Sequence, residues 1–523
     1  MTTVPTGTSG APTASPSESS PVPTLRSRAT WRPVTIGAAV VVLVGLSLWL
    51  RYRSLGTTSL WLGDAWVADG SRVSTIGDTI RTGLTSPGFS LIYRGWASVF
   101  GHGATTAQVL ALLFAVMTPV ALFFVALERR LPVFAALLAG VLVATAPSHI
   151  EFSTHLKQYT AEAFGATLVL WAAWRVVDHA TDGRRWAVLA GVAIVASLIS
   201  SVGAITACSS LAVCSVAALL ARPRRIRPVV VATCSYGLVV GVWAFTAVKP
   251  NVASAQLAKY WRHRFLNGSG FAGGLFDRLE GIARGFQSLD TTLVLVVVLI
   301  AAVLVLVRRP LVGSLLLAPT VVAIALCALT IVPLGTRRTD IYLFPSYALL
   351  IAVAVGEIAS VVPGRDWLIG VATLAAAVVV VANAASATHP DYPRENLTPL
   401  VHMVEQRRQP EDLVVVYPKA QYAYGLATRY PIATRPDRSA GPGWIVEIRG
   451  PHIVVLRPAL ARWASQLDDL THASPRIWVV GSHLKGRARD WGALLGLLKH
   501  RGYRIVKVHR RPDARLVLMS PQR

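Results

Sequence analysis

Four stretches of this chain carry side chains that could do chemistry. The first is Thr58-Ser-Leu-Trp-Leu-Gly-Asp-Ala-Trp66, which sets Asp64 between Trp61 and Trp66 just after a long apolar run. Tryptophan suits a membrane–water interface because its ring is apolar except for one N–H. A carboxylate held there is poorly hydrated, which makes it a better proton acceptor than one in a free loop. Asp69 follows as a second carboxylate. The second stretch, Ser153-Thr-His-Leu-Lys-Gln-Tyr159, spaces His155, Lys157 and Tyr159 at alternate positions. An extended backbone would send all three one way. The third, Gly335-Thr-Arg-Arg-Thr-Asp340, sets Arg337 beside Arg338, and guanidinium groups pair bidentately with phosphate oxygens. The fourth, Lys249–Asp290, mixes Tyr260, Trp261, Arg262, His263 and Arg264 with Gly268, Gly270, Gly273 and Gly274. A basic, aromatic, glycine-rich loop of this length reads as a lid over a sugar and a phosphate. Each stretch also has a plainer reading: an acid that orients its loop, Lys and Tyr anchors at headgroups, Arg binding headgroups without catalysis, and a flexible connector.

The elements that must position these groups are membrane spans. The chain has 523 residues, 53% hydrophobic and 15% charged, with a mean hydropathy of +0.52. A soluble domain carries about a quarter charged residues. Eleven apolar runs, from Val34–Leu50 to Leu368–Ala385, read as spans. Several are shorter than the ~20 residues of an upright helix; Leu131–Ala146, Tyr159–Val177 and Trp186–Ser200 lie among the eleven. The net charge is +25, but the Arg residues cluster between runs. Topology and anionic headgroups explain them, and nucleic acid is excluded as a partner. Arg129-Arg130, Arg184-Arg185, Arg222 to Arg227 and Arg308-Arg309 mark inner turns. Positive charge at His155 and Lys157, at Lys249 to Arg264 and at Arg337-Arg338 falls outside and breaks the rule. The four cysteines lie in apolar runs, without metal-ligand spacing.

The expected organisation is a disordered cytoplasmic tail over 1–30, a transmembrane domain over 31–388 and an extracytoplasmic α/β domain over 389–523. The transmembrane domain holds a first outer loop at 51–106 and an outer lid loop at 249–290. Trp66, Val73, Ile76 and Ile80 predict an interfacial amphipathic helix that Ser86-Pro-Gly-Phe89 interrupts. In the tail, strands are expected at Leu413–Tyr417, His452–Leu456, Arg476–Val480, Tyr503–Val508 and Leu516–Met519, with helices at Ala420–Thr428 and Arg487–His500, giving βαβ character.

Together these residues resemble the GT-C superfamily of polyprenyl-phosphate-sugar-dependent glycosyltransferases, in the branch of protein mannosyltransferases and lipopolysaccharide-core glycosyltransferases. The family opens with an apolar-Trp-Leu-Asp-Glu-Ala-Trp stretch, and Leu60-Trp-Leu-Gly-Asp-Ala-Trp66 is similar to it. Pro87-Gly-Phe89 matches the family's later Pro-Gly-Phe. Pro147-Ser-His149 with Ser153–Tyr159 resembles its Ser-Pro-x-His…Tyr-Ser-x-Glu-x-Lys/Arg-x-Tyr signature. Two positions depart: Gly63 replaces the first acid of the Asp-Glu pair, and His155 replaces the later Glu. Either Asp64 has taken the role of base or activity is lost.

The resemblance implies a polytopic α-helical membrane protein with a GT-C-like bundle and a small C-terminal α/β domain. It implies transfer of a hexose or pentose from a polyprenyl-phosphate donor to a lipid or glycan acceptor of the cell envelope, with inversion. Asp64 would be the base, with His155, Lys157, Tyr159, Trp261, Arg337 and Arg338 binding substrate. No cofactor is called for; a divalent metal is compatible with the chemistry but no ligand set stands out. Two rivals are an inactive scaffold of an envelope complex, which Gly63 favours, and a lipid-linked saccharide transporter. Transport would ask for acids inside the spans, where Glu357 sits near the end of one.

Overall fold

The computed structural model describes residues 28–522 except 53–54, 56–58, 222–225, 250–258, 267–270, 362–365, 388–394, 429, 438, 441 and 472–473. The expected tail over 1–30 lies, but for its last three residues, outside the described residues, as do Arg222, Arg224 and Arg225 and two parts of the expected lid. Met1–Val42 and Leu43–Arg523 are two compact units, and every candidate site residue belongs to the second.

Apolar helices dominate. In chain order they begin with α1 (Arg28–Arg51), α2 (Leu62–Arg72), α3 (Ile76–Thr82), α4 (Pro87–Phe100), α5 (Ala104–Glu128), α6 (Val133–Ala144) and α7 (Pro147–Glu151). They continue with α8 (Tyr159–Asp178), α9 (Gly183–Ile199), α10 (Gly203–Ala221) and α11 (Arg227–Trp243). Eight helices among the described residues are long and apolar enough to cross a membrane, or nine if the pair α6–α7, bent by 60°, counts as one broken span. The eleven runs therefore divide. Leu131–Ala146 is bent at Pro147, α9 is 17 residues long, and α8 carries Glu162, Arg175 and Asp178 along its 20 residues. Glu162 is a buried acid that receives the Ser200 hydroxyl at 2.5 Å. Glu357 meets Arg309 Nε at 2.5 Å.

The expected lid differs most from expectation. Among its described residues, Phe271–Phe286 is a helix of 16 residues, α12. Leu275, Leu279, Ile282 and Phe286 recur at helical spacing, so one face is buried; Gly273 and Gly274 at its start obscure that pattern. Four further spans, α13 to α16, follow at Thr291–Arg308, Pro310–Ala328, Ile341–Val361 and Trp367–Ala387.

The C-terminal sheet has strands β1 (Leu413–Val416), β4 (Ile453–Val455), β5 (Ile477–Ser482), β6 (Tyr503–Arg511) and β7 (Ala514–Pro521), in the order β4-β1-β5-β7-β6. β1 runs parallel to β4 and β5, whereas β7 is antiparallel to β5 and β6. The βαβ reading thus holds for one half, and a hairpin completes the sheet. β1 and β5 are buried along their whole length, as central strands should be. A separate hairpin pairs β2 (Ile432–Pro436) with β3 (Trp444–Ile448). Helices α17 (Thr398–Arg407), α18 (Gln421–Ala427), α19 (Trp463–Thr471) and α20 (Ala488–His500) complete this region. One hydrophobic core runs from Leu62, Ala65 and Ala68 of α2 and Phe89 of α4 into Val401, Val414 and Val479 of the sheet region. Helices α2 and α4 and the C-terminal sheet therefore share one packed core.

Candidate active site

Asp64 stands in the first turn of α2, where the helix dipole favours negative charge. It is 2% exposed, and its Oδ2 receives Nδ1–H of His155 at 2.8 Å. Its Oδ1 is buried without a hydrogen-bond partner among the described residues. The His155 ring meets the edge of Trp61 at 6.2 Å and lies 5.3 Å from Phe152, so aromatic packing fixes the imidazole against the carboxylate. His155 sits where a 3₁₀ turn, Phe152–Thr154, ends in an extended residue.

Lys157 does not continue the extended run: its N–H bonds back to His155 O at 2.7 Å. The chain must turn here to enter α8, so the expected alternation of three side chains is replaced by a bend. Lys157 is still delivered to the site, with its ammonium 4.2 Å from the centroid of Trp66. Burial pushes Lys157 down to about 7; Asp64 pulls it up and Arg338 down. Tyr159 begins α8, buried 5.0 Å from Phe152, with Arg338, Asp64 and Tyr260 in electrostatic reach of its hydroxyl.

The third stretch is a turn built around a buried carboxylate. Asp340 accepts the N–H groups of Gly335 at 3.1 Å, Thr336 at 2.7 Å and Arg337 at 3.0 Å. Burial nevertheless pushes it up to about 6, against the pull of those hydrogen bonds. Gly335 has φ +68° and packs on α12 so closely that a Cβ would stand 2.7 Å from Arg278 Cα; a Cβ on Gly281 would reach Gly335 O at 2.5 Å. Two glycines thus let the turn lie on the helix. The turn presents its two arginines differently. Arg338 lies over Trp261 at 4.6 Å and over Tyr260 at 5.5 Å, and donates to the Tyr260 hydroxyl at 3.1 Å. Arg337 is exposed, and its side chain makes no ion pair or hydrogen bond among the described residues.

Asp64, His155, Lys157 and Arg338 are therefore brought together, with Trp261 behind Arg338 and Tyr159 alongside; Arg337 stands at the edge. Asp69 is elsewhere. It is fully buried under α18, and Gly425 has room for no Cβ because Asp69 Oδ2 would lie 2.8 Å from it. Burial pushes Asp69 well up, and Arg72 at 3.7 Å only partly offsets this. The space beside Gly63 is filled too: a Cβ there would meet the Trp61 ring at 2.4 Å and Lys157 Cε at 3.1 Å.

Sequence reasoning missed Glu395 and His483. His483 bonds Glu395 at 2.6 Å and lies 6.2 Å from Trp61, so the C-terminal region backs the ring that packs on His155. No local pattern marks them. With Asp513 they are the three-residue group, among the described residues, that could hold a metal ion, with ligand atoms within 4.8 Å. Asp513 already accepts the N–H groups of Leu484 and Lys485, both at 2.9 Å, and so serves as a turn cap.

The structure is similar to that of ArnT from Cupriavidus metallidurans in the apo state, with a TM-score of 0.57 at 13% identity, covering 94% of this chain and 98% of that chain. ArnT bound to undecaprenyl phosphate matches with a TM-score of 0.55 at 14% identity over the same shares. The chain has the GT-C fold. The comparison with the archaeal oligosaccharyltransferase AglB from Archaeoglobus fulgidus gives a TM-score of 0.49 at 12% identity over 93% of this chain and 74% of that chain. No family model matches the sequence, and no curated protein matches it. The GT-C fold is thus established by shape and by the run of apolar helices, not by close kinship.

Proposed function

We propose that this protein is a membrane glycosyltransferase that moves a sugar from a polyprenyl-phosphate donor to an acceptor of the cell envelope. The observation that carries this reading is the Asp64–His155 pair, which leaves one carboxylate oxygen buried and without a partner among the described residues, with Lys157 and Arg338 in electrostatic reach. The GT-C fold and a neighbour bound to undecaprenyl phosphate support the lipid-borne donor.

In this reading the acceptor hydroxyl gives its proton to Asp64 Oδ1 as its oxygen attacks the anomeric carbon. The bond from that carbon to the phosphate oxygen breaks, the anomeric centre inverts, and the leaving polyprenyl phosphate gains a negative charge. His155 Nδ1–H holds Oδ2, so the carboxylate keeps its orientation while its charge changes. Protonated Lys157 and Arg338 stand where charge develops, and there their stabilisation counts towards rate. Trp261 and Tyr260 fix the Arg338 guanidinium. The positive-inside reading of the Arg clusters supports an N-terminus in the cytoplasm and a site, with the region 389–523, on the outer face. The scaffold reading draws on Gly63, since the Trp61 ring occupies the place of a first acid.

Sugar transfer in purified membranes from radiolabelled polyprenyl-phosphate mannose or arabinose tests the proposal. Wild type is expected to transfer label and Asp64→Asn to lose it. Equal transfer by both would remove Asp64 as base, and no transfer by wild type from either donor would favour the scaffold.

A further inference from the structure

A cavity of about 250 Å³ lies between α2 and the C-terminal sheet. Its floor is made by residues just after the three parallel strands: Tyr417 and Lys419 after β1, Pro458 after β4 and Arg487 after β5. Crevices at the carboxyl ends of parallel strands are where open α/β sheets hold ligands, because the connecting loops diverge there. Trp66 of α2 also lines it. That ring is shared with the candidate active site, since Lys157 stacks on it at 4.2 Å.

The lining suits one kind of ligand. Tyr417, Tyr422, Trp463 and Trp66 supply apolar ring surface. Arg487 and Asp490, 3.5 Å apart and both half-buried, set a donor beside an acceptor on one helix turn. Lys419 is half-buried near them, and burial together with Arg487 pushes it down. Rings beside a neighbouring donor and acceptor match the two aspects of a sugar: an apolar C–H face, and adjacent hydroxyls that both donate and accept.

We propose that this cavity binds a neutral sugar unit of the acceptor glycan, one residue back from the hydroxyl that reacts. The proposal rests on the glycosyltransferase reading and adds to it the substrate class and the place where the acceptor is gripped. A glycan held here lies across Trp66 from Asp64, so the C-terminal region selects the acceptor while the membrane bundle holds the donor.

The test uses the full chain in lipid nanodiscs, with mannotriose and arabinotriose as probes and saturation-transfer NMR as the readout. At least one trisaccharide should receive saturation on its ring protons. Arg487→Ala and Asp490→Asn should each weaken that binding about tenfold, the loss expected when a charged hydrogen-bonding partner is removed. Both variants should keep the wild-type thermal transition, which separates a lost contact from a lost fold. Asp64→Asn should bind as wild type does. Binding that tracks Arg487 and Asp490 while Asp64→Asn still transfers sugar would sink the base assignment and leave the cavity assignment standing. Wild type that binds neither trisaccharide, or variants that bind as well as wild type, would overturn the cavity assignment.

Discussion

Two carboxylates on helix α2 have opposite surroundings. Asp64 has one oxygen on His155 and the other without a hydrogen-bond partner among the described residues, with Lys157 and Arg338 nearby. Asp69 is packed beneath Gly425, with neither oxygen hydrogen-bonded among the described residues and Arg72 at 3.7 Å. Both are buried acids at the rim of the bundle, and composition treats them alike. What separates them is which element lies on top. A loop bearing His155 and Lys157 covers the first and supplies polar partners; a helix of the C-terminal region covers the second and supplies backbone and a glycine. A buried carboxylate becomes chemistry only where its surroundings leave it a polar partner and room for a substrate.

The comparison breaks first at Asp64. Replacing it with Asn should lower transfer by about 10²–10⁴-fold, the usual worth of a general base, whereas Asp69→Asn should stay within about twofold by the same radiolabel assay. Reversed losses would make Asp69 the base. The cations come next. Arg338→Ala should cost about 10²-fold in kcat, as loss of a group facing developing charge does, and the exposed Arg337→Ala less than about fivefold. Equal losses, measured at saturating donor, would return the two arginines to one role.

The effect of pH is smaller and its sign is definite. Because Lys157 sits at about 7, raising the pH through that value removes its charge, and kcat/KM for the donor should fall. Lys157→Arg keeps a cation at all these pH values, so its profile should be flatter; an unchanged profile would detach Lys157 from the phosphate. Last is stability at Asp69. Its raised folded-state value means that the folded protein holds the proton more tightly than the unfolded chain, whose ordinary value is 3.8. Stability should therefore fall as the pH rises above that value, until the raised value is passed. Thermal melts of Asp69→Asn should show a weaker slope, and identical slopes would mean the acid is hydrated after all.

Much of this was legible locally. Apolar runs mark the helices because a span must be apolar wherever lipid touches it. Trp61-Leu-Gly-Asp64, Pro87-Gly-Phe89 and the Arg337-Arg338 turn each carry their signal within a few residues. The basic segments that break the expected charge pattern carry signal as well. His155 with Lys157, Tyr260 with Trp261, and Arg338 are the groups that the fold gathers, and their positive charge stands beside acid and aromatic partners.

Other features had a masked local signal or none. Glycines 273 and 274 made α12 read as loop, although its buried face follows a helical period. The hairpin β2–β3 ends in Arg435-Pro436, a poor strand by propensity, and it forms because Trp444 and Val446 find a core. His483, bonded to Glu395, reaches Trp61 from a distant part of the chain.

What the sequence determined by itself is therefore the membrane class, the run of apolar helices, the α/β tail and the separate chemical stretches. Periodicity, turn chemistry and charge act over a few residues and can be read in order. Only the tertiary structure decided that Asp64 meets His155 while Asp69 meets Gly425, that Arg338 and not Arg337 is clamped by aromatic rings, and that the C-terminal sheet shares one core with α2. Those outcomes depend on close packing between segments far apart in the chain, at places such as Gly281 against Gly335 where one added methyl group would not fit, and packing of that kind leaves no pattern in the neighbouring residues.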